Sequence, residues 1–284
     1  MNRTPFQRVA IYGLGLIGGS IALAIKRRWP STVVIAIDRA HVVEAALRMQ
    51  VIDDGSDVLG TASGTDLVML AAPVLQNVAA LKALPRHVSQ PALVTDVGST
   101  KRAMVDAAAG LPEHLHYIGG HPLAGAAISG VEAARPDLFD DRPWILTPTE
   151  RRTDTALDAL TQFVTGLRAI PQQMTPGEHD RLLAYISHLP QLTVSALMHV
   201  VGAHAGEEGL ALAGRGLRDT TRLASSPAAT WRDIVATNGD NVSAALDDLI
   251  GALQRLRPAP EPSHTDLDDV FVSAARWKGV LEHG

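Results

Sequence analysis

A glycine-rich turn between an apolar run and a helical segment constrains this chain more than any other feature. Residues 8–12, Arg-Val-Ala-Ile-Tyr, have the pattern of a short buried strand, and the turn 13–18, Gly-Leu-Gly-Leu-Ile-Gly, follows directly. Residues 20–28 have the character of a helix, and the β-branched, apolar residues 32–37 predict a second buried strand. Strand, helix and strand within about 30 residues form a βαβ unit with parallel strands.

The alternation of strands and helices continues to about residue 150. Further strands are predicted at 66–71, 93–97 and, as the last of the series, 144–146, with helices at 41–50, 74–84 and 101–109. Such alternation indicates a doubly wound sheet covered by helices on both faces. We therefore expect an α/β fold in which residues 1–150 form an N-terminal domain of the Rossmann type.

The second half of the chain, residues 151–284, has a helical pattern. Apolar residues recur at helical spacing in 153–167, 176–205, 243–256 and 263–281, and only 168–174 resembles a strand. The apolar run 189–201 carries few charges, which predicts a helix buried on most sides. We expect an all-α domain that forms a homodimer, because a subunit interface would account for that burial.

The composition excludes several kinds of site and partner. Because no cysteine is present, disulfides, thiolate metal sites and cysteine nucleophiles are excluded, and no metal site is predicted. The formal net charge is −5 and the basic residues are scattered, which argues against nucleic acid as a partner. A membrane anchor at 9–25 is disfavoured, since this run contains four glycines and is shorter than the about 20 residues of a spanning helix. We expect a cytoplasmic protein.

The glycine turn has the context of a dinucleotide-binding site, with a strand before it and a helix after it. Gly13 permits a tight turn, Gly15 lets the backbone approach a pyrophosphate, and Gly18 lets the helix pack against the strand. The free N–H groups at the helix start, around Leu16 and Ile17, would face the anion. The alternative is a turn that only tightens a strand–helix corner.

The acid at the end of the second strand indicates which dinucleotide is bound. Asp38 lies 20 residues beyond Gly18 and is placed to accept hydrogen bonds from the hydroxyls of the adenosine ribose. Its charge would repel a 2′-phosphate, which favours NAD over NADP. Arg39 leaves the choice open, because its charge could offset that repulsion.

Two polar segments follow later strands of the predicted sheet, where ligands of open α/β sheets bind. The first is 96–101, Asp-Val-Gly-Ser-Thr-Lys, and the second is 119–125, Gly-Gly-His-Pro-Leu-Ala-Gly. His121 in the second segment can accept a proton near neutral pH, as the oxidation of an alcohol requires. Ser99 or Thr100 in the first could be the N-cap of the following helix, and a capping serine can still contact a ligand.

These motifs, in this order, resemble the prephenate/arogenate dehydrogenase family. The second half agrees with the family pattern at 179–180 (His-Asp), 187–190 (Ser-His-Leu-Pro), 218–222 (Arg-Asp-Thr-Thr-Arg) and 231–233 (Trp-Arg-Asp). The resemblance covers residues 8–257 and implies an NAD-dependent dehydrogenase. Such an enzyme oxidises the ring alcohol of prephenate or arogenate and expels the ring carboxylate as carbon dioxide, without a metal or a covalent nucleophile.

The resemblance also implies roles for individual residues. His121 matches the histidine that takes the C4 hydroxyl proton while hydride passes to nicotinamide, and Ser99 matches the serine that positions the hydroxyl and the nicotinamide. Arg222 matches the arginine that holds a substrate carboxylate, for which a guanidinium fork is suited. Arg218 and His188 are further candidates for the substrate site.

These candidates have simpler alternatives. Arg218 and Arg222 could form a solvated helix face, and His188 could be a buried core histidine. In the same region, His179 could pair with Asp180 or cap a helix.

Two departures from the family pattern leave the substrate open. Residues 125–127, Gly-Ala-Ala, stand where many prephenate-using members carry Gly-Thr-Glu, and small residues there resemble some arogenate-using members. Gln191, in the predicted substrate site, stands where several members have a second histidine. Asp38 favours prephenate, with arogenate or both substrates as the alternative. A reductase of the β-hydroxyacid dehydrogenase or pyrroline-carboxylate reductase type and a non-enzymatic dinucleotide sensor are more distant alternatives.

Overall fold

The computed structural model of the chain describes residues 4–125, 130–150, 153–257 and 265–283. Its strands are β1 (Arg8–Tyr12), β2 (Val33–Ile37), β3 (Asp54–Ser56), β4 (Leu67–Leu70), β5 (Ala92–Asp96), β6 (Leu115–Pro122), β7 (Pro143–Thr147) and β8 (Ile170–Gln173). In the described residues they form one eight-stranded sheet of order β3-β2-β1-β4-β5-β6-β7-β8. Neighbouring strands are parallel except for the antiparallel pair β6 and β7.

Helices cover both faces of this sheet because side chains alternate along each strand. The helices are α1 (Leu16–Arg28), α2 (Ala40–Arg48), α3 (Val74–Ala83), α4 (Arg102–Ala108) and α5 (Asp154–Gly166). On β1, Val9 and Ile11 belong to the core shared with α1, α2 and α5, whereas Ala10 faces the core shared with α3 and α4. The predicted Rossmann-type α/β fold is confirmed.

Two elements beyond residue 150 pack as part of this sheet. Strand β8 pairs in parallel with β7. Helix α5 places Phe163 against Trp29 and Phe6, with ring centroids 5.4 and 5.5 Å apart. The expectation that 144–146 is the last strand is therefore wrong, since the apolar face of α5 covers the sheet and brings β8 to its edge. The domain boundary at residue 150 stays a prediction, and this packing favours a position near Gln173.

The remaining elements are helical, as the sequence pattern predicts. They are α6 (Pro176–Leu183), a π-helical turn (Ala184–His188), α7 (Leu189–Ala211), α8 (Arg215–Thr220), α9 (Ala228–Arg255) and α10 (Thr265–His283). The sequence predicts that α7 is buried on most sides. Within a single chain it is not, because Leu197 and Val200 are 37% and 54% exposed. Its apolar run therefore faces outward from the single chain.

The described part of the chain has no helix that is long and apolar enough to span a membrane. The apolar run 9–25 divides instead into β1, the glycine turn and α1. Within the same described ranges, no three His, Asp or Glu side chains are grouped as potential metal ligands.

Candidate active site

The turn between β1 and α1 is shaped by its glycines. Gly13 has a φ of +97°, in the left-handed region, and its N–H donates to the carbonyl oxygen of Ile37 at 2.9 Å. A Cβ at Gly18 would lie 2.0 Å from the carbonyl oxygen of Gly13, so a side chain there would displace the turn. A Cβ at Gly15 would meet no described atom within 4 Å, so the backbone at this point is open to a ligand.

A cleft of about 660 Å³ opens beside this turn. Gly13 and Gly15 line it together with the end of β2 and residues 71–73. Leu16 and Ile17 begin α1 next to Gly15, and their side chains pack partly against the core. Their backbone N–H groups, at the positive end of the helix, are therefore the groups suited to bind a pyrophosphate.

Carboxylates lie at the β2 end of the cleft. Oδ2 of Asp38 accepts the backbone N–H of Leu14 at 2.7 Å, and Oδ1 accepts the backbone N–H of Arg39 at 2.7 Å. The Arg39 side chain is 77% exposed, with Nε 3.6 Å from Asp38 Oδ1. Asp57 also lines the cleft. The sequence pattern does not reveal this second carboxylate, because the short strand β3 before it carries no clear apolar signal. The negative charges of Asp38 and Asp57 both disfavour a 2′-phosphate on the cofactor.

Three side chains from the two parts of the chain form a line of hydrogen bonds. His121 lies at the end of β6, while His179 and Asp180 lie on α6. Nδ1 of His121 is 2.9 Å from Nε2 of His179, and Nδ1 of His179 is 2.8 Å from Oδ1 of Asp180. The pairing of His179 with Asp180 is thus present, but it is one step of a line that ends at His121.

Asp180 also caps the N-terminus of α4. Its Oδ1 accepts the backbone N–H of Lys101 at 2.7 Å, and its Oδ2 accepts the backbone N–H and the Nε–H of Arg102 at 3.0 and 3.3 Å. The N-cap interpretation of Ser99 or Thr100 is wrong, because Lys101 occupies the cap position and the acceptor comes from 79 residues away. Ser99 is half-buried in the loop before the helix.

A fully buried ion pair lies behind His121. Nζ of Lys101 contacts Oδ2 of Asp96 and donates to the carbonyl oxygen of Gly120 at 2.7 Å. The hydroxyl of Tyr117 donates to Oδ1 of Asp96 at 2.8 Å. Lys101 thereby fixes the backbone next to His121. The sequence pattern identifies this segment as a candidate site but not the buried ion pair within it. An acid and a lysine five residues apart around a loop are a usable signal for such a pair.

The histidines of this cluster have lowered pKa values. Burial, followed by the neighbouring His179, Lys101 and His188, holds the pKa of His121 well below its usual value. Burial also lowers the pKa of His188 to about 4. For Asp180, burial would raise the pKa, but hydrogen bonds from His179 and from two backbone N–H groups outweigh it and the pKa is lowered. Near neutral pH, His121 is therefore neutral and able to accept a proton.

His188 ends the π-helical turn with one ring nitrogen unpartnered. It is fully buried, and its Nδ1 lies 3.4 Å from Nδ2 of Asn238, which also donates to the carbonyl oxygen of Asp180 at 2.7 Å. Because an amide nitrogen only donates, Nδ1 is the acceptor and Nε2 carries the hydrogen. That buried Nε2 has no partner among the described residues. An orphaned buried donor is suited to an anionic or carbonyl group of a ligand.

The segment that carries Arg222 is tied to the start of α7. Nε2 of Gln191 donates to the carbonyl oxygen of Leu223 at 2.8 Å, and the Ser226 hydroxyl donates to Oε1 of Gln191 at 3.0 Å. These bonds favour a structural role for Gln191, whose predicted substrate contact stays a prediction. The side chains of Arg222 and Arg218 are exposed, and neither side chain makes a hydrogen bond or ion pair with another described residue. The structure therefore brings His121 and His188 into one cluster but does not join the two arginines to it.

Comparison with known proteins identifies the family of the chain. Residues 21–170 match the family model described as the prephenate dehydrogenase nucleotide-binding domain, and residues 175–270 match the prephenate dehydrogenase dimerization domain. The chain is 38% identical over 271 residues to the prephenate dehydrogenase of Bacillus subtilis, across 93% of this chain and 72% of that protein.

Two further similarities concern nearly the whole chain. It is 30% identical to the cyclohexadienyl dehydrogenase of Zymomonas mobilis, across 90% of this chain and 89% of that protein. It superposes with a TM-score of 0.83 and 28% identity on the prephenate dehydrogenase of Aquifex aeolicus in complex with hydroxyphenyl propionate and NAD⁺, across 99% and 95% of the two chains. The chain belongs to the prephenate dehydrogenase family.

Proposed function

We propose that this chain is an NAD-dependent prephenate dehydrogenase, which converts prephenate to 4-hydroxyphenylpyruvate and carbon dioxide. The observation that carries the proposal is the hydrogen-bonded line from Asp180 through His179 to His121 at the carboxyl end of β6. A neutral histidine at this edge of the sheet is the group that an alcohol oxidation needs. The 38% identity to the prephenate dehydrogenase of Bacillus subtilis supports the substrate.

The residues of the cleft fit the cofactor. The open backbone at Gly15 and the start of α1 would hold the pyrophosphate, and Asp38 would accept the ribose hydroxyls. NAD, when bound, accepts the hydride that leaves C4 of the ring. The complex of the Aquifex aeolicus relative with NAD⁺ supports this choice of cofactor.

The chemical step uses few protein groups. His121 would accept the proton of the C4 hydroxyl, and Ser99 would position that hydroxyl. The C–H electron pair of C4 would leave as hydride and a carbonyl would form there. Carbon dioxide would then leave, the electron pair of its bond to the ring would complete the aromatic system, and the C4 oxygen would take up a proton to give the phenol. Arg222, exposed and without a protein partner among the described residues, would hold a carboxylate of the substrate, and the orphaned Nε2–H of His188 would donate to a second oxygen.

Arogenate, alone or beside prephenate, is the second candidate substrate. The 30% identity to a cyclohexadienyl dehydrogenase favours this alternative. Of the residues that depart from the prephenate pattern, Gln191 has its amide engaged inside the protein, and Ala126 and Ala127 lie outside the described residues.

The outward-facing apolar run of α7 and the match of residues 175–270 to a dimerization domain support a homodimer. The cytoplasmic location expected from the sequence stays a prediction. Sedimentation of the full chain tests the assembly: a dimer is expected, and a monomer at working concentrations would contradict it.

One assay tests the proposed reaction. The purified full chain is mixed with prephenate or arogenate and with NAD or NADP, and the absorbance of the reduced cofactor is followed. Turnover is expected with prephenate and NAD, with 4-hydroxyphenylpyruvate as the product. A clear preference for arogenate would favour the second candidate, and no turnover of either ring compound would overturn the proposal.

A further inference from the structure

We propose that His179 and Asp180 are positioning residues that hold His121 in one tautomer, with the proton on Nδ1 and Nε2 free to accept the substrate proton. The inference rests on the proposed function, in which His121 is the base. Without this role, the buried His179 of α6 would serve only in packing.

The hydrogen bonds of Asp180 determine its charge state. Its two oxygens accept the backbone N–H of Lys101, the backbone N–H of Arg102, the Nε–H of Arg102 and a contact from His179. The side chain is fully buried, and a buried carboxylate surrounded by N–H donors stays ionised. Asp180 is therefore an acceptor at each of these bonds.

The ionised Asp180 determines which nitrogen of His179 carries the proton. Because Asp180 only accepts, the 2.8 Å contact requires that Nδ1 of His179 carries a hydrogen. Burial lowers the pKa of His179 and outweighs the hydrogen bond to Asp180, which raises it, so the ring holds a single proton near neutral pH. Its Nε2 is then a bare acceptor.

His179 in turn determines which nitrogen of His121 carries the proton. Its Nδ1 lies 2.9 Å from Nε2 of His179, and two bare nitrogens at that distance would repel each other. Nδ1 of His121 must therefore be the donor. Nε2 is left with a free lone pair and accepts no hydrogen bond from the described residues, and the residue as a whole is partly exposed. The free nitrogen is thus unprotonated and has no protein partner among the described residues.

The same line stabilises the product of the proton transfer. When the hydroxyl proton bonds to Nε2 of His121, the ring becomes an imidazolium that still donates from Nδ1 to His179. The carboxylate of Asp180 lies beyond His179, and its negative charge interacts favourably with the positive charge of Lys101. Oriented acceptors of this kind favour the charged transition state without moving.

A pair of substitutions at one position separates orientation from packing. His179→Gln keeps an amide oxygen near the position of Nε2, whereas His179→Leu keeps the bulk but has no acceptor. We expect kcat of His179→Leu to fall about 100-fold with the KM for prephenate changed less than about threefold, and His179→Gln to recover at least about tenfold of that loss. Equal rates for both variants, or wild-type kcat in the leucine variant, would overturn the proposal.

A measurement on the unaltered protein covers the case in which His179→Leu does not fold. The ¹⁵N spectrum of histidine-labelled full chain reports which ring nitrogen is protonated, and the signals that His121→Asn removes identify His121. A protonated Nδ1 and a bare Nε2 are expected near pH 7.5, whereas the opposite tautomer or a charged ring would overturn the proposal. Because this readout needs no turnover, it stays decisive even where the enzyme assay fails to support the proposed reaction.

Discussion

Asp180 and Lys101 are joined by a hydrogen bond of 2.7 Å from the backbone N–H of Lys101 to the carboxylate Oδ1. The same oxygen accepts Nδ1–H of His179, which contacts His121. A single carboxylate on α6 therefore holds both the start of α4, next to the loop of Ser99, and the histidines at the end of β6. The alignment of the helical part with the sheet and the alignment of the proposed catalytic groups depend on the same atoms.

Two glycines of the turn, the exposed Gly15 and the buried Gly18, respond differently to one added methyl group. Gly15→Ala places a Cβ in the open space of the cleft, so we expect the Kd for NAD to rise about tenfold or more while the thermal midpoint stays within about 2 °C. Gly18→Ala is the matched control, since its Cβ meets the carbonyl oxygen of Gly13, and we expect the free energy of unfolding to fall by about 1–3 kcal/mol. Titration of NAD and thermal melts check both, and unaltered NAD binding by Gly15→Ala would refute the pyrophosphate site.

Replacement of the ribose-binding acid shifts cofactor preference. Asp38→Ser removes the charge that repels a 2′-phosphate and the acceptor for the N–H of Leu14. We expect the Kd for NAD to rise about 10- to 100-fold, as for a lost charge-assisted hydrogen bond, and the ratio of NADP to NAD use to increase. The control is Asp158→Ser on the exposed side of α5. An unchanged NADP/NAD ratio would remove Asp38 from its assigned role.

Loss of the exposed arginine weakens substrate binding without weakening the fold. Arg222 has no protein partner among the described residues, so Arg222→Ala leaves no buried group unpaired. We expect the KM for prephenate to rise about 10- to 100-fold with an unchanged thermal midpoint. Arg86→Ala, which removes an exposed arginine of the α/β part, serves as the control. An effect on the thermal midpoint alone would favour a structural role for Arg222.

Protonation of the buried histidine links stability to pH. The pKa of His188 is about 4 in the folded chain and 6.5 when free, so the unfolded chain binds this proton more readily. The free energy of unfolding therefore falls as the pH decreases from 6.5 toward 4, by up to about 3 kcal/mol from this residue. His188→Phe keeps a ring beside Trp231 and removes the titrating group, so its stability should fall less. Urea unfolding of both proteins at pH 7.5 and about 4.5, at one protein concentration, checks this prediction. Equal losses of unfolding free energy in the wild type and in His188→Phe would contradict it.

Local patterns predicted the elements whose signals are contained in neighbouring residues. The glycines, β1, β2 and Asp38 lie within one βαβ unit, and their positions agree with the structure because turn geometry and strand periodicity act over short distances. His121 was likewise identified from its segment at the end of β6, although its role as the base stays a proposal.

Other features depend on contacts between residues that are distant in the sequence, so local patterns do not predict them. Helix α5 has the same helical pattern as the later helices, and only the packing of Phe163 on Trp29 places it on the sheet. The N-cap of α4 could not be inferred from Ser99 and Thr100, because the acceptor Asp180 follows 79 residues later than Lys101. Burial of that lysine also depends on the pairing of β5 with β6, which the spacing of Asp96 and Lys101 does not by itself reveal.

The most direct test of the account is the kcat of His121→Asn with prephenate and NAD. Asparagine fills similar space but has no nitrogen that accepts a proton, so the variant should bind NAD with the wild-type Kd and lose about 10²- to 10⁴-fold in kcat. Near-normal turnover by His121→Asn would contradict the assignment of His121 as the base and, with it, the catalytic site described at the end of β6.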